Sequence, residues 1–136
     1  MYCCILVQPS CRISQPVPAS SIIKGTNDVP LDLVCISTGG YPRQTVNWYK
    51  YQTGQNPVKI TQCTTSPVIN QDLYDVTESC TLTPTQAEDG ARLYCESSYT
   101  GTPRLLAKSQ EVQLQLLCKL PRRMHEQILN NSMLVF

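Results

Sequence analysis

Eight cysteines lie along the 136 residues, at positions 3, 4, 11, 35, 63, 80, 95 and 118, and their spacing restricts what the chain can become. No two form a C-x-x-C pair, and the single histidine, His125, stands near the C-terminus. A structural zinc site draws on Cys or His pairs at short spacing, so neither zinc nor any other metal or cofactor is the expected use. Disulfides formed in an oxidising compartment are. The length suits one domain with tails and a modest core.

Composition removes other options. A formal charge of +1 directs no field toward nucleic acid or an anionic membrane, and Arg122-Arg123 reads as a solvated pair. No apolar run reaches the about 18 residues of a membrane span. The apolar start "MYCCILVQPSC" is too short for a signal peptide and lacks a basic leader region. A disulfide protein without a visible export signal is expected to be incomplete at its start.

Two composition shifts divide the chain. "SQPVPASS", Ser14 to Ser21, interrupts any regular element, and alternation is lost after "LLCKLP", Leu116 to Pro121. Expected boundaries are therefore residues 1–15 as a leader or the remnant of a preceding segment, 16–118 as the domain, and 119–136 as a tail that is disordered or a short helix. Met124, Ile128 and Leu129 give that tail a weak apolar stripe, and Asn130-Asn131-Ser132 is a glycosylation sequon.

The middle alternates with the period of strands. In "LDLVCIS", Leu31, Leu33 and Cys35 share a face. Val46 and Trp48 oppose Asn47, Tyr49 and Tyr51. Tyr74, Val76, Cys80 and Leu82 align, with Glu78 the one misfit. Ala91, Leu93 and Cys95 oppose Arg92, Tyr94 and Glu96, and Val112, Leu114 and Leu116 oppose Gln113 and Gln115. "NPVKITQC" reads as a further short strand. Gly, Pro, Asn and Asp separate these runs, which predicts an all-β antiparallel sandwich. If Cys35 and the lone Trp48 both face inward, a disulfide between sheets needs a partner on a later strand, and Cys95 has the correct face. Closing 60 residues of chain stabilises by about 4 kcal/mol in the loop-entropy picture.

Cys35, Trp48, "AEDGARLYC" and the strand rhythm resemble the immunoglobulin fold over roughly residues 16 to 118. "EDGARLYC" looks like the family's D-x-A/G-x-Y-x-C signature. Asp89 and Ala91 match it, whereas Leu93 stands where the family usually has the tyrosine of a corner hydrogen bond. Tyr94 falls one position later and is expected to point to solvent. "TGGYPRQTVNWYK" and "YDVTESCTLTPTQAEDGA" are similar to constant-type (C1/C2-like) domains of cell-surface adhesion molecules and B7- or butyrophilin-like ligands. The resemblance implies a two-sheet sandwich with Greek-key connections and a core that includes Leu33, Trp48, Leu93 and Leu114. Tyr2-Cys3-Cys4 also matches Y-x-C, so the start reads equally as the end of a preceding domain or as a first strand behind an untidy leader.

Cys63 and Cys80 lie outside the basic pattern. A turn at Asn70-Gln71-Asp72-Leu73 pairs Ile69 with Tyr74 and brings Cys63 opposite Cys80, which allows a cross-strand disulfide. The other reading has Cys80 replacing a core leucine and Cys63 a free thiol. Cys3, Cys4, Cys11 and Cys118 have no predictable partners.

No catalytic set emerges. Residues 12 to 118 hold no histidine, so a Ser-His or Cys-His nucleophile cannot be built there. Glu88-Asp89 reads as a structural turn, "STGGYP" is not a phosphate loop, and "NQDLYD" offers too few carboxylates for calcium. The expected activity is recognition rather than catalysis. Asn47, Tyr49, Arg92, Tyr94 and Gln113 should face outward from the third, sixth and seventh strands of the immunoglobulin pattern. The loop "ESSYTGTPRLLAKSQ" adds Tyr99 and Arg104, with Leu105-Leu106 at its tip as a small core or an apolar contact. The expectation is an extracellular or cell-surface module for adhesion or immune-type binding to a protein partner, homophilic or heterophilic, without nucleic acid. The alternative is a spacer domain between others in a longer ectodomain.

Overall fold

The computed structural model describes residues 6–16, 18–99 and 102–117, with backbone only over 102–106. Two sheets pack face to face. The first contains β1 (Ser10–Gln15), β3 (Leu31–Gly40), β6 (Cys63–Asn70) and β7 (Leu73–Leu82), in the order β1-β3-β7-β6. The second contains β2 (Ile22–Thr26), β4 (Gln44–Tyr51), β5 (Val58–Lys59), β8 (Arg92–Tyr99), β9 (Thr102–Lys108) and β10 (Val112–Leu117). Its order is β2-β10-β8-β4-β5, with β9 also along β8. All pairs are antiparallel except β2 with β10. Neighbours such as β3–β7 and β4–β8 are distant in sequence, so the chain crosses repeatedly between sheets in the manner of a Greek key.

Period-two burial builds the core. Leu33, Cys35, Val46, Trp48, Val76, Leu93, Cys95, Val112 and Leu114 are fully buried, one row from each sheet meeting the other. The Trp48 indole fills the middle and its Nε1–H donates to the Glu78 carbonyl at 3.3 Å. Toward one end the core turns polar. Gln44 Nε2 donates to the Ser37 hydroxyl at 3.0 Å, the Ser37 carbonyl at 3.3 Å and the Tyr74 carbonyl at 3.0 Å. Gly40 permits this, because a Cβ there would stand 2.4 Å from the Gln44 amide oxygen.

Several expectations change. Ser10–Gln15 pairs with β3, so the sandwich begins ahead of the boundary placed at residue 16. The Pro- and Ser-rich stretch is where the chain leaves one sheet for the other. "NPVKITQC" yields only Val58–Lys59, opposite Lys50 and Tyr49; Pro57 has no N–H to extend the pairing. The 96–110 segment is a hairpin of β8 and β9 rather than a long loop. Glu78 keeps the alternation and faces inward, its carboxylate accepting from the Thr65 hydroxyl at 2.7 Å. Burial pushes the Glu78 carboxyl above its usual range, against the Thr65 hydrogen bond and Lys59, which pull it down. Cys3, Cys4, Cys118, the tail stripe and Asn130 lie outside the described residues.

Candidate functional site

The outer face of the six-stranded sheet collects the polar aromatic residues. Register places Tyr51 beside Arg92, Tyr49 beside Tyr94 and Asn47 beside Glu96 across β4 and β8. Lys108 of β9 stands opposite Glu96, and Gln113 of β10 opposite Arg92. Side chains on one face of adjacent strands lie within contact distance, and here they form a layer. The Tyr49 and Tyr94 rings stack with centroids 5.5 Å apart and planes 20° apart. Tyr51 meets Tyr94 edge-on at 6.1 Å. The Lys108 ammonium sits 4.2 Å above the Tyr94 ring, a cation–π contact of about 0.5–1 kcal/mol where solvent reaches it.

The layer is pinned at its edge. Lys108 Nζ lies 2.8 Å from the Glu111 carboxylate, and the Tyr51 hydroxyl donates to the same carboxylate. Lys108, then Tyr51, holds Glu111 below the usual carboxylate range, and the hydrogen bond with Glu111 raises the Lys108 ammonium. The phenols move the other way. Burial and then Glu96 push Tyr49 and Tyr94 up, and the hydrogen bond to Glu111 raises Tyr51. At neutral pH the face therefore presents neutral hydroxyl donors around a charged Lys–Glu pair.

Two sequence expectations need correction. Tyr94 points to the outer face but is 7% exposed, because Lys108, Tyr49 and Tyr51 cover it. Tyr99 is 8% exposed: β8 continues through it, so its odd-numbered position falls on the inner face with Leu93 and Cys95 rather than on a loop tip. Asn47, Tyr49, Arg92 and Gln113 do lie on the outer face. The backbone of Arg104 is in β9, its side chain outside the described set, as are those of Leu105 and Leu106. Sequence reading left out Tyr51, Lys108 and Glu111. The parity of Tyr51 with Tyr49 was a usable signal; Lys108 was hidden by treating 96–110 as loop, and Glu111, just before the last strand, carries no signal of its own until Lys108 is placed beside it.

Glu88 and Asp89 brace turns. Glu88 accepts from the Thr85 N–H at 3.2 Å and pairs with Lys50 at 2.9 Å. Burial pushes its carboxyl up, but Lys50 and Thr85 outweigh that and leave it lowered. Asp89 accepts from the Leu116 N–H at 2.9 Å, which closes the corner where Leu93 replaces a tyrosine. Among the described residues, two sets of three sulfur or carboxylate groups come close enough to share a cation: Cys11, Cys35, Cys95 and Cys63, Glu78, Cys80. Each contains a disulfide, Cys35–Cys95 and Cys63–Cys80, and disulfide sulfurs are not the thiolates that bind metal. An open, mostly apolar pocket of about 470 Å³ lies away from the Tyr49–Tyr51–Tyr94 layer, between Val7, Tyr41, Ile69, Asp72, Leu73 and Tyr74. The tyrosine layer, by contrast, is an open face rich in the residue types that protein interfaces favour.

Residues 14–105 match the CD80-like C2-set immunoglobulin domain. The chain belongs to that family. This C2-set domain is similar in structure to Rst D1-D2, at 20% identity and a TM-score of 0.64, covering 82% of this chain and 51% of that one. It is similar to the mouse nectin-like molecule 4 full ectodomain (Ig1–Ig3), at 15% identity and 0.58, covering 83% and 35%. It is also similar to IgNAR antibody domain C3, at 22% identity and 0.55, covering 82% and 99%. The C2-set domain thus spans about half of the first of these chains and a third of the second, and identities at this level speak for the fold alone. No curated protein gives a significant match.

Proposed function

We propose that this immunoglobulin domain is an extracellular protein-recognition module, at the cell surface or secreted, without catalytic activity, that binds a protein partner through the outer face of β4, β8 and β9. One observation carries the reading: three tyrosines held in fixed orientation by stacking and by the Lys108–Glu111 pair. A rigid aromatic surface loses little side-chain freedom on binding, and Tyr and Arg dominate interface energetics. Arg92 and Asn47 frame the layer and supply polar contacts. Residence in an ectodomain with further immunoglobulin domains agrees with the multi-domain neighbours of the fold.

A spacer role has its own support, since Tyr94 is covered by side chains of its own domain. The two readings separate on Tyr49→Ala and Arg92→Ala, assayed against an array of displayed ectodomains, with thermal unfolding to verify the fold. Recognition predicts loss of a captured partner by about tenfold or more, the effect of removing an interface anchor. Binding that is unchanged in both variants identifies a spacer.

A further inference from the structure

Cys11 places a third sulfur against the intersheet disulfide. Its Sγ lies 3.3 Å from Cys35 Sγ and 3.5 Å from Cys95 Sγ, and it is a free thiol on β1. Its S–H is directed toward the Cys95 carbonyl oxygen, 3.8 Å away. Three strands supply the cluster: β1 and β3 from one sheet, β8 from the other. The contact follows from alternation. Cys11 pairs with Ser37, two residues beyond Cys35 on β3, and Ile13 pairs with Cys35 itself, so Cys11 faces the same inter-sheet layer as the disulfide.

We propose that Cys11, Cys35 and Cys95 form one exchanging three-sulfur centre, in which the intersheet link passes between Cys35–Cys95 and Cys11–Cys95. The step is internal and balanced. Cys11 gives up its proton and its sulfur attacks Cys95 Sγ. The Cys11–Cys95 bond forms, the Cys35–Cys95 bond breaks, and Cys35 leaves as a thiolate that takes up a proton. Two sulfurs are oxidised before and after, so no outside oxidant or reductant is needed.

Geometry keeps the centre at rest. Attack proceeds along the S–S axis, which would leave the incoming sulfur about 2 Å farther from one disulfide sulfur than from the other. The two distances differ by far less, so the thiol waits beside the bond. Burial, then Glu96, also raises the Cys11 thiol to about 11, which keeps it protonated. Exchange therefore requires a side-chain rotation that moves the Cys11 sulfur onto the Cys35–Cys95 axis. The products are unequal. Cys11–Cys95 still joins the two sheets, closing 84 residues instead of 60. Cys11–Cys35 would join neighbouring strands of one sheet, across 24 residues, and leave the sheets unlinked. The fold therefore holds a spare for one end of its central staple, and exchange would free a thiol on β3 in place of one on β1.

The test uses the full chain, oxidised, held at pH 8, quenched in acid, alkylated while unfolded, and mapped by mass spectrometry without reduction. The expected result is a Cys11–Cys95 peptide together with alkylated Cys35. Its share should be independent of protein concentration, and it should be absent from Cys11→Ser. Two single variants give a second measure. Cys35→Ser should carry Cys11–Cys95 and melt above Cys95→Ser, which can make no intersheet link from this cluster. Finding Cys35–Cys95 alone in the parent chain overturns the proposal. So does a Cys35→Ser protein whose Cys11 and Cys95 are both alkylated. If the variants fail to fold, the parent map still decides.

Discussion

Cys35–Cys95 joins opposite sheets beside Trp48, with its Cα atoms 6.5 Å apart, while Cys63–Cys80 joins adjacent strands at a sheet edge, with its Cα atoms 4.0 Å apart. The first lies in the fully buried centre of the sandwich. The second covers one end of β6, an edge strand exposed along almost its whole length. Val68 and Ile69 on that strand are 60% and 64% exposed. One link therefore fixes how the two layers face each other. The other fixes a pairing that the hairpin already favours, since Gln71 and Asp72 adopt the positive φ of a two-residue turn. The two sites show that a disulfide's contribution depends on what else holds its ends together.

Breaking the central link should have the larger effect. Cys95→Ser removes the intersheet connection and leaves Cys35 with only a same-sheet neighbour, Cys11. Expected is a loss of about 2–5 kcal/mol, the range for removing a native disulfide from a small domain, read as the shift in denaturant midpoint. A loss below that range would mean that packing around Trp48 alone aligns the sheets. The double variant Cys63→Ser, Cys80→Ser opens a loop of 17 residues, for which loop entropy gives about 3 kcal/mol at most. The turn keeps these strands partly paired in the unfolded chain, so the measured loss should fall short of that. Equal losses in the two experiments would erase the distinction between staple and edge clasp.

How far these features could be read from sequence follows the same divide. Alternation placed Leu33, Trp48, Leu93 and Leu114 inward, because a period of two leaves little freedom once one face is buried. The register drawn from Asn70-Gln71-Asp72-Leu73 pairs Ile69 with Tyr74 and Cys63 with Cys80, as the structure does. Position along a strand is a local property, and turn chemistry fixes it. Cys11 escaped this reasoning because its neighbours come from strands 24 and 84 residues away, and no local pattern reports that convergence. Tyr94 and Tyr99 failed differently. Parity gives Tyr94 its face but not its cover, Lys108, which arrives on a strand that looked like loop; Tyr99 falls within that same loop reading, which leaves no strand for the parity that turns it inward. The partner-binding role proposed for the outer face has no local signature at all, since strand propensity also favours exposed tyrosine.

The edge itself can be tested through Pro67. Cys63 and Cys80 stand at a close, non-hydrogen-bonded pair, so every second residue along β6 turns its backbone groups toward the open side. Pro67 is one of these, four residues on, opposite Val76. Lacking an N–H, it interrupts the row of donors that an exposed edge offers to another strand. Pro67→Thr restores the donor. Concentration-dependent self-association should follow, seen by sedimentation at concentrations where the parent chain stays monomeric. A monomeric variant would show that twist or the polar side chains of β6 suffice to guard the edge.

The smallest effect should come from Glu78, the charged residue beneath the edge clasp. Its carboxyl sits inward, raised first by burial, with the Thr65 hydroxyl and Lys59 opposing the shift. For an acid, a folded-state value above the unfolded one means that the native state holds the proton more tightly. Stability is then greatest below the unfolded value, declines as pH rises toward the raised value, and is flat above it. Ionising the buried Glu78 carboxyl therefore costs the fold desolvation. Glu78→Gln removes that cost and preserves an acceptor for Thr65, so the variant should be the more stable protein at neutral pH and should lack the decline. Denaturant unfolding at a series of pH values from acid to neutral measures both. Should the parent chain instead gain stability as pH rises through the carboxylate range while the variant does not, ionised Glu78 must be favourable. The inner face of β7 near the edge would then be far more open to water than the core around Cys35–Cys95.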